Sequence, residues 1–449
     1  MLAVAFGAAA TAAGAPGAIT GPSSSDAPYL VRHVPGVTTT SVLTVGDNVD
    51  GYRMTGVPDG LGAFDNGDGT FTVLMNHELG SSAGVTRAHG AAGAFVSKWI
   101  IRKDTLQVVS GSDLIQRLFV VQNGQYVQAT VALNRLCSAD LPARSALFNP
   151  STGNGYDGRI FLNGEETTGG RAFGHVVETG DSYQLPAIGN AAFENVVANP
   201  ATGDRTVVVG TSDGGDQGIT VYAGTKTSTG NPVERAGLTN GTALKIAVTG
   251  LATESGAAAA PVGPKPFTLA AIGTAWDRPE DASWDPKNPN DLYFVTTASM
   301  TKHSRLWHVH FTDVAHPELG GTVEMVLEGP ASTSVAGPHM MDNLTVNNRG
   351  QVLIQEDPGG NDYLAGIWQY DIATGAVRRI ADHDPSRFLV GGSRFDTVDE
   401  ESSGIIPVPF LGEGKYLLDT QDHTKLADPE LVEKGQLQLL HVPPGQKVG

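Results

Sequence analysis

Residues 276–297 read Trp-Asp-Arg-Pro-Glu-Asp-Ala-Ser-Trp-Asp-Pro-Lys-Asn-Pro-Asn-Asp-Leu-Tyr-Phe-Val-Thr-Thr. The second half is a turn dense in Asp, Asn and Pro, followed by Leu292 to Thr297, a short run rich in aromatic and β-branched residues that predicts a buried strand. The first half sets Arg278, Glu280 and Asp281 around Pro279. The proline fixes φ at one residue and biases its predecessor towards extended backbone, so the charged groups are held in place. One cation and two carboxylates on a stiff segment are a candidate site. An Arg–Glu salt bridge on a loop explains the same residues.

The unit recurs. Asn199-Pro-Ala-Thr-Gly-Asp-Arg precedes Thr206 to Val209, and Asn347-Asn-Arg-Gly precedes Gln351 to Gln355. Asp65-Asn-Gly-Asp-Gly-Thr70 feeds Phe71 to Met75, and Tyr370-Asp-Ile-Ala-Thr-Gly-Ala-Val is a further turn of this type. Phe95, Ser97, Trp99 and Ile101 alternate up to a turn at Lys103-Asp104, after which Leu106, Val108 and Val109 return as a hairpin. A recurring turn followed by a short buried strand, at irregular spacing, predicts an all-β propeller with few, short helices. Residues 224–265 are low in core-forming residues and are expected to insert between blades of one propeller domain spanning 26–449.

Composition agrees with this class. With 57 glycines, 26 prolines and 17% charged residues among 449, the chain is built of turns and short strands, not a helical bundle. The formal charge of −18 argues against nucleic acid or an anionic membrane surface as partner, since both need a basic face. Residues 1–25 carry the apolar run Leu2 to Phe6 and a small-residue stretch ending Ala13-Gly-Ala-Pro, with no Lys or Arg before Arg32. They read as an export signal lacking its basic start, which places the protein in the periplasm or outside the cell. No other stretch is long and apolar enough to span a bilayer. The one cysteine, Cys137, excludes an internal disulfide framework and is either an inert buried thiol or a ligand.

Acidic residues fall at one particular place in the unit. Glu78 follows Leu74 and Met75, Glu165 and Glu166 follow Ile160 to Leu162, Asp213 follows Val207 to Val209, and Glu356 with Asp357 follows Ile354. Propeller loops converge there on the central channel, so carboxylates from distant segments gather about one axis. Clustered like charges need a counter-ion, which predicts bound cations. The preference of Asp and Glu for turns explains single cases better than the pattern. His77, His175, His339 and His423 follow similar turns, but no pair has the His-Glu-x-x-His spacing of zinc hydrolases, and they are read as supporting or structural residues.

Taken in order, Asp59-Gly-Leu-Gly with Asn76-His-Glu78, Arg135-Leu-Cys137-Ser, Asn163-Gly-Glu-Glu-Thr167 with Gly170-Arg-Ala-Phe173, Phe193-Glu-Asn-Val, Arg278-Pro-Glu280-Asp, Asp342-Asn343 and Glu401-Ser-Ser-Gly404 resemble the ordered motifs of the PhoX-type alkaline phosphatases. The resemblance implies a six-bladed, exported propeller that holds iron and calcium near its axis and hydrolyses phosphate monoesters. It implies Cys137 as thiolate ligand to iron, and Glu165 or Glu166, Glu194 and Glu280 as carboxylate ligands shared between iron and calcium. It sets Arg278 against the substrate phosphate. Asp342, Asp357 and Glu401 match acidic positions near the metals, and Glu78 joins the metal set. A second phosphate-binding cation has Arg135 or Lys425 as its candidates. Where the family usually has Thr-Cys-Glu-Glu, this chain has Asn-Gly-Glu-Glu.

Ligand chemistry is consistent with the resemblance: a soft thiolate among hard carboxylates suits iron, and the all-oxygen remainder suits calcium. The expected partners are small-molecule phosphate esters, met by a monomer. Two other classes use the same cluster: a calcium-dependent propeller hydrolase of another ester, such as a lactonase or phosphodiesterase, and a non-catalytic calcium-stabilised surface protein.

Overall fold

The structure is a computed structural model that describes residues 17–215, 217–261 and 263–445, so residues 1–16 of the expected export segment lie outside the described residues. Helix is confined to single turns such as Arg144–Leu147, Pro232–Arg235 and Pro385–Phe388, and most of the regular structure is strand. No helix among the described residues is long and apolar enough to cross a membrane.

Six strands line the axis: β1 (Pro58–Asp65), β2 (Leu136–Asp140), β3 (Ala192–Ala198), β4 (Pro279–Trp284), β5 (Met341–Val346) and β6 (Glu400–Pro407). They pack side by side in that cyclic order, with β6 returning to β1. Each pairs outward with the second strand of its own antiparallel group, for example β1 with Thr70–His77 and β4 with Asp291–Thr296. The chain is therefore an all-β propeller, as its turn-and-strand pattern predicts.

The apolar runs explain why the second strands do not alternate in polarity. A strand with a sheet on either side buries both faces and reads as continuous apolar sequence. Phe71, Val73, Leu61 and Leu417 fill the layer between the β6 and β1 groups, whereas Leu74, Phe161 and Phe173 fill the next. Phe193 with Leu162, Trp276 with Val209, Leu344 with Val295, and Leu353 with Leu418 mark the remaining four layers. The ring is closed by the chain's two ends. Thr38–Thr44 pairs antiparallel with Glu433–His441 in the sheet that contains β6.

Strands β3 and β4 form the two edges of a single nine-stranded sheet, because Lys265–Ala270 pairs with Thr242–Val248 on one side and Gly321–Glu328 on the other. Part of the 224–265 segment is thus strand, and its Ile246 and Val248 enter an apolar layer.

Every inner strand breaks register against its neighbour. The shifts fall between Pro58 and Leu61, Leu136 and Ala139, Phe193 and Val196, Pro279 and Ala282, Met341 and Leu344, and Ser403 and Ile406. In β1 to β5 each bulge inserts residues without ladder partners and turns side chains from the layers towards the axis, whereas the β6 bulge inserts Gly404 and Ile405, and Ile405 stays in an apolar layer. Close approach at this level demands glycine at one place. A methyl on Gly60 would lie 2.4 Å from the Ala139 nitrogen, 2.5 Å from the Ser138 carbonyl carbon and 2.6 Å from the Cys137 oxygen, all of them backbone atoms. Gly60→Ala is accordingly expected to destabilise the fold by about 1–3 kcal/mol through overpacking. A denaturation midpoint equal to that of the parent would show that β1 and β2 have room to part.

Candidate metal centre

The bulges decide which side chains meet. Their leading residues in β1 to β5 are Asp59, Cys137, Glu194, Glu280 and Asp342. Just before each, with one residue between, stands a residue of positive φ in four of the five strands: Val57 at 51°, Arg135 at 47°, Arg278 at 63° and Met340 at 41°. Non-glycine residues avoid this region, and a β-branched valine most of all, so the strain is concentrated at one level of the propeller. The carbonyls of these residues accept hydrogen bonds from the backbone N–H groups of Glu78, Glu166, Thr297 and Asp357 at 2.8–3.1 Å. A second ring of side chains is thereby placed beside the first. In β6 the Asp399 carbonyl accepts from His423 N at 3.2 Å, which puts Glu401 in the first ring and His423 in the second. Asp213, between residues paired with Ala192 and Phe193, is the counterpart in the β3 group.

Three overlapping groups result. In Asp59–Glu78–Cys137, Cys137–Glu166–Glu194 and Glu194–Glu280–Asp342, the ligand atoms lie within 4.8 Å of one another. Cys137 Sγ donates to Glu166 Oε2 at 3.2 Å. Arg135 Nε donates to Glu166 at 2.8 Å, and its Nη2 lies 2.6 Å from Glu78. Arg278 grips Asp213 through Nε at 3.0 Å and Nη2 at 2.9 Å, and Nη2 also lies 2.9 Å from Glu280 Oε1. That last oxygen is off the N–H direction and has no hydrogen bond, although it is buried. Nη1 of either arginine makes no hydrogen bond among the described residues. The side chains of Arg135 and Arg278 are 49% and 32% exposed above carboxylates that are 15% exposed or less, so the guanidinium groups cap the cluster towards solvent.

The electrostatics follow from burial. Asp59 is driven well above the carboxylate range by burial, then by Glu401 and Glu78. Burial, joined by Asp342 and Asp59 on Glu194, and by Asp213 on Glu280, does the same to those two residues. Burial lifts Asp342 too, with Glu280 adding to it. Glu78 and Asp357 each rise to about 7, again chiefly through burial, with Arg135 offsetting part of the rise at Glu78. Burial and then Glu194 push the Cys137 thiol up. Burial opposes the His423 charge, yet hydrogen bonds to Glu401 and Glu433 raise it to about 11. Burial would likewise raise Glu401, but His423 outweighs it and holds Glu401 below its ordinary value. Protons or cations must neutralise such a cluster, and bound cations would reverse these shifts. The buried, unpaired Glu280 oxygen and a donor set of one thiol with many carboxylates fit metal ions of mixed hardness.

Of the residues expected at the metals, the structure brings Glu78, Cys137, Glu166, Glu194, Glu280 and Asp342 into these groups. Arg278 lies against Glu280, and Asp357 and Glu401 adjoin the groups through their charges. Glu165 lies elsewhere: Arg171 holds both its oxygens at 2.7 and 2.6 Å, and Asn134 N donates to it at 3.1 Å. His77 and His175 are buried and neutral in polar contacts with Ser97 and Ser182, while His423 supports Glu401. Lys425 is exposed. The structure adds Asp59 as a ligand-type residue. A signal for it exists in the sequence, a degenerate apolar–ligand–polar–apolar unit: Pro58-Asp-Gly-Leu, Leu136-Cys-Ser-Ala, Phe193-Glu-Asn-Val, Pro279-Glu-Asp-Ala and Met341-Asp-Asn-Leu.

Below this level the second bulge residues form a polar floor. Asn343 Nδ2 donates to Ser138 Oγ, Asn195 Nδ2 donates to Asp281 Oδ1, and Leu344 N donates to Asp281 Oδ2 at 3.0 Å. A cavity of about 570 Å³ opens at the far ends of the same strands, lined by Asp140, Asp281, Trp284, Arg349 and Tyr416 among others.

The fold and this centre define a β-propeller with axial acidic groups that could hold metal ions. PhoX of Pseudomonas fluorescens, in complex with vanadate, a transition state analogue, is similar in structure at 12% identity, over 91% of this chain and 95% of that one, with a TM-score of 0.60. A gluconolactonase from Xanthomonas campestris aligns at 10% identity over 96% and 99% of the two chains with a TM-score of 0.39, and Sqt1 of Chaetomium thermophilum at 10% over 90% and 98% with 0.42. At such identities the likeness is one of fold, and the first of the three carries it. No family model and no curated protein matches the sequence.

The division between the two neighbouring glutamates is testable. Glu166→Gln is expected to lower the metal content of the purified protein, while Glu165→Gln leaves it intact and lowers the melting temperature by loosening the Arg171 pair. Equal metal loss in both variants would contradict the placement.

Proposed function

We propose that this chain is an exported, metal-dependent phosphatase that hydrolyses phosphate monoesters at an iron and calcium cluster on the propeller axis. One observation carries the reading: a thiol and a row of carboxylates meet at the axis under two part-exposed guanidinium groups, each with an Nη1 that makes no hydrogen bond among the described residues. The PhoX motifs fall on these same residues, with Arg135, Cys137, Glu166, Glu194, Arg278, Glu280, Asp342 and Glu401 all at the ring. The apolar N-terminal run supports export.

Cys137, with Glu166 and Glu194, would hold iron, the all-oxygen group of Glu194, Glu280 and Asp342 would hold calcium, and Asp59 and Glu78 would add carboxylates on the other side of the thiol. Bound cations neutralise the phosphate dianion and acidify water. The chain's own part is orientation. Arg278 and Arg135 offer N–H donors to phosphate oxygens from the solvent side, in a planar geometry that lysine lacks. Their partners on the protein side hold the guanidinium planes before substrate arrives, which is the preorganisation that transition-state charge stabilisation requires. The buried carboxylates exclude an anion from the ring unless cations are present.

Elemental analysis of the purified protein together with turnover of a chromogenic phosphate monoester tests the whole reading. Iron and calcium with phosphatase activity lost on chelation are expected; calcium alone, with activity only on lactones or diesters, would replace it. A thiolate on ferric iron also predicts a coloured protein, which Cys137→Ser should bleach while removing most activity. An uncoloured, iron-loaded and fully active serine variant would move the iron elsewhere. Arg278→Lys should keep the metals and the melting temperature yet lower turnover by about two to three orders of magnitude, by analogy with loss of one preorganised donor. Wild-type turnover in that variant would reduce Arg278 to a salt-bridge partner of Asp213 and Glu280.

A further inference from the structure

Asp419 lies where the β6 group meets the β1 group, on the strand Lys415–Lys425, and is fully buried. Neither of its carboxylate oxygens has a hydrogen-bond partner. An ionised carboxylate left in this state is strongly unfavourable without a counter-ion. The charges that face it are themselves negative, Glu401 and Asp59.

The space beside Asp419 is shaped by the sixth bulge. Ser403 pairs with Asp419 across the ladder, and the next residue, Gly404, has φ of +59°. A methyl at 404 would sit 3.0 Å from Asp419 Oδ1, 3.0 Å from the main-chain oxygen of Asp59 and 3.1 Å from Leu61 Cγ. The glycine therefore keeps a side chain from crowding two oxygens that come from the first and last groups of the ring. Gln421, two residues on and on the same face of its strand, has a buried Oε1 without a partner, while its Nε2 donates to Asp59 Oδ2 at 3.1 Å.

We propose that Asp419 and the Asp59 carbonyl, with Gln421 Oε1, bind a calcium-type divalent cation at this seam, adjoining the group of Asp59, Glu78 and Cys137 but without its thiol. The donors are all oxygen, a carboxylate, a main-chain carbonyl and a side-chain amide, the mixture that calcium takes at about 2.3–2.6 Å and that softer ions do not prefer. The ion joins β1 to the C-terminal sheet, so it fastens the ring at the place where it closes. This inference does not rest on the phosphatase reading, since the site contains neither the thiol nor either guanidinium.

The test uses the unmodified chain first. Crystals grown with strontium in place of calcium, measured at the strontium edge, should show an anomalous peak within bonding distance of Asp419; a difference map with no ion there overturns the proposal. In solution, Asp419→Asn should lose one calcium per chain by elemental analysis while keeping any iron, and its melting temperature should fall less on chelation than that of the parent. Gly404→Ala, which crowds both oxygens, should do the same. Calcium counts equal to the parent in either folded variant would refute the site. A chain without iron or phosphatase activity would leave these readouts unchanged, so the two readings fail separately.

Discussion

Buried like charge is the constraint on which the rest of this structure depends. Asp59, Glu78, Glu166, Glu194, Asp213, Glu280, Asp342, Asp357 and Glu401 converge on one end of the axis, and the cations that face them are Arg135, Arg278 and His423. Two unit charges 4 Å apart interact by about 4 kcal/mol at an effective dielectric of 20, so the sum over such a set would unfold a domain whose net stability is about 5–15 kcal/mol. The chain must therefore take up protons, cations or both in order to fold. Burial drives Asp59, Glu194, Glu280 and Asp342 in the direction of protonation. That is the state from which metal ions displace protons, and ligands bound only by the folded protein then stabilise it by mass action.

The backbone supplies the geometry that makes this concentration of charge tolerable. A residue in the left-handed region precedes the bulge in four inner strands, and the bulges of β1 to β5 turn the same leading position inward at one level of the ring. Rigid strands packed on both faces by apolar layers hold those positions. The strain at Val57, Arg135, Arg278 and Met340 lies at this level together with the ligand-type side chains. Strain of about 1–3 kcal/mol per residue persists only where surrounding structure over-determines it, and here six continuous apolar layers do so.

Much of this was legible in the sequence, for reasons that differ from part to part. The all-β architecture follows from local chemistry, because turns such as Asp285-Pro-Lys-Asn-Pro-Asn and runs such as Leu292 to Val295 declare themselves within a few residues. Convergence of Glu78, Glu166 and Asp357 follows from their shared place after the second strand. The choice between Glu165 and Glu166 does not, since adjacent residues on a strand point to opposite faces and the outcome depends on Arg171 five to six residues away. Asp59 was harder still, because the unit it shares with the other bulges, Pro58-Asp-Gly-Leu in its case, is degenerate and shows itself only when the five copies are set side by side. Asp419 carries no local sign at all: Leu417-Leu-Asp419-Thr reads as an ordinary strand, and only the packing of β6 against β1 shows that its carboxylate has no partner.

Of the two explanations offered for Arg278, the structure shows the salt bridge, and an anion contact is compatible with it. In this structure its Nε and Nη2 hold Asp213 and Glu280, and Arg135 holds Glu166 and Glu78 in the same manner. Each guanidinium thus lends positive charge to carboxylates of the cluster while its Nη1 makes no hydrogen bond among the described residues. An arginine committed on one edge and open on the other loses little further rotamer freedom when an anion arrives, which is where a solvated lysine would be at a disadvantage. The chain's charge of −18 disfavours anion approach over most of its surface. A pair of part-exposed guanidinium groups above buried carboxylates is therefore the place on the axis where positive charge meets solvent, and it is held there by the same carboxylates that could hold metal ions.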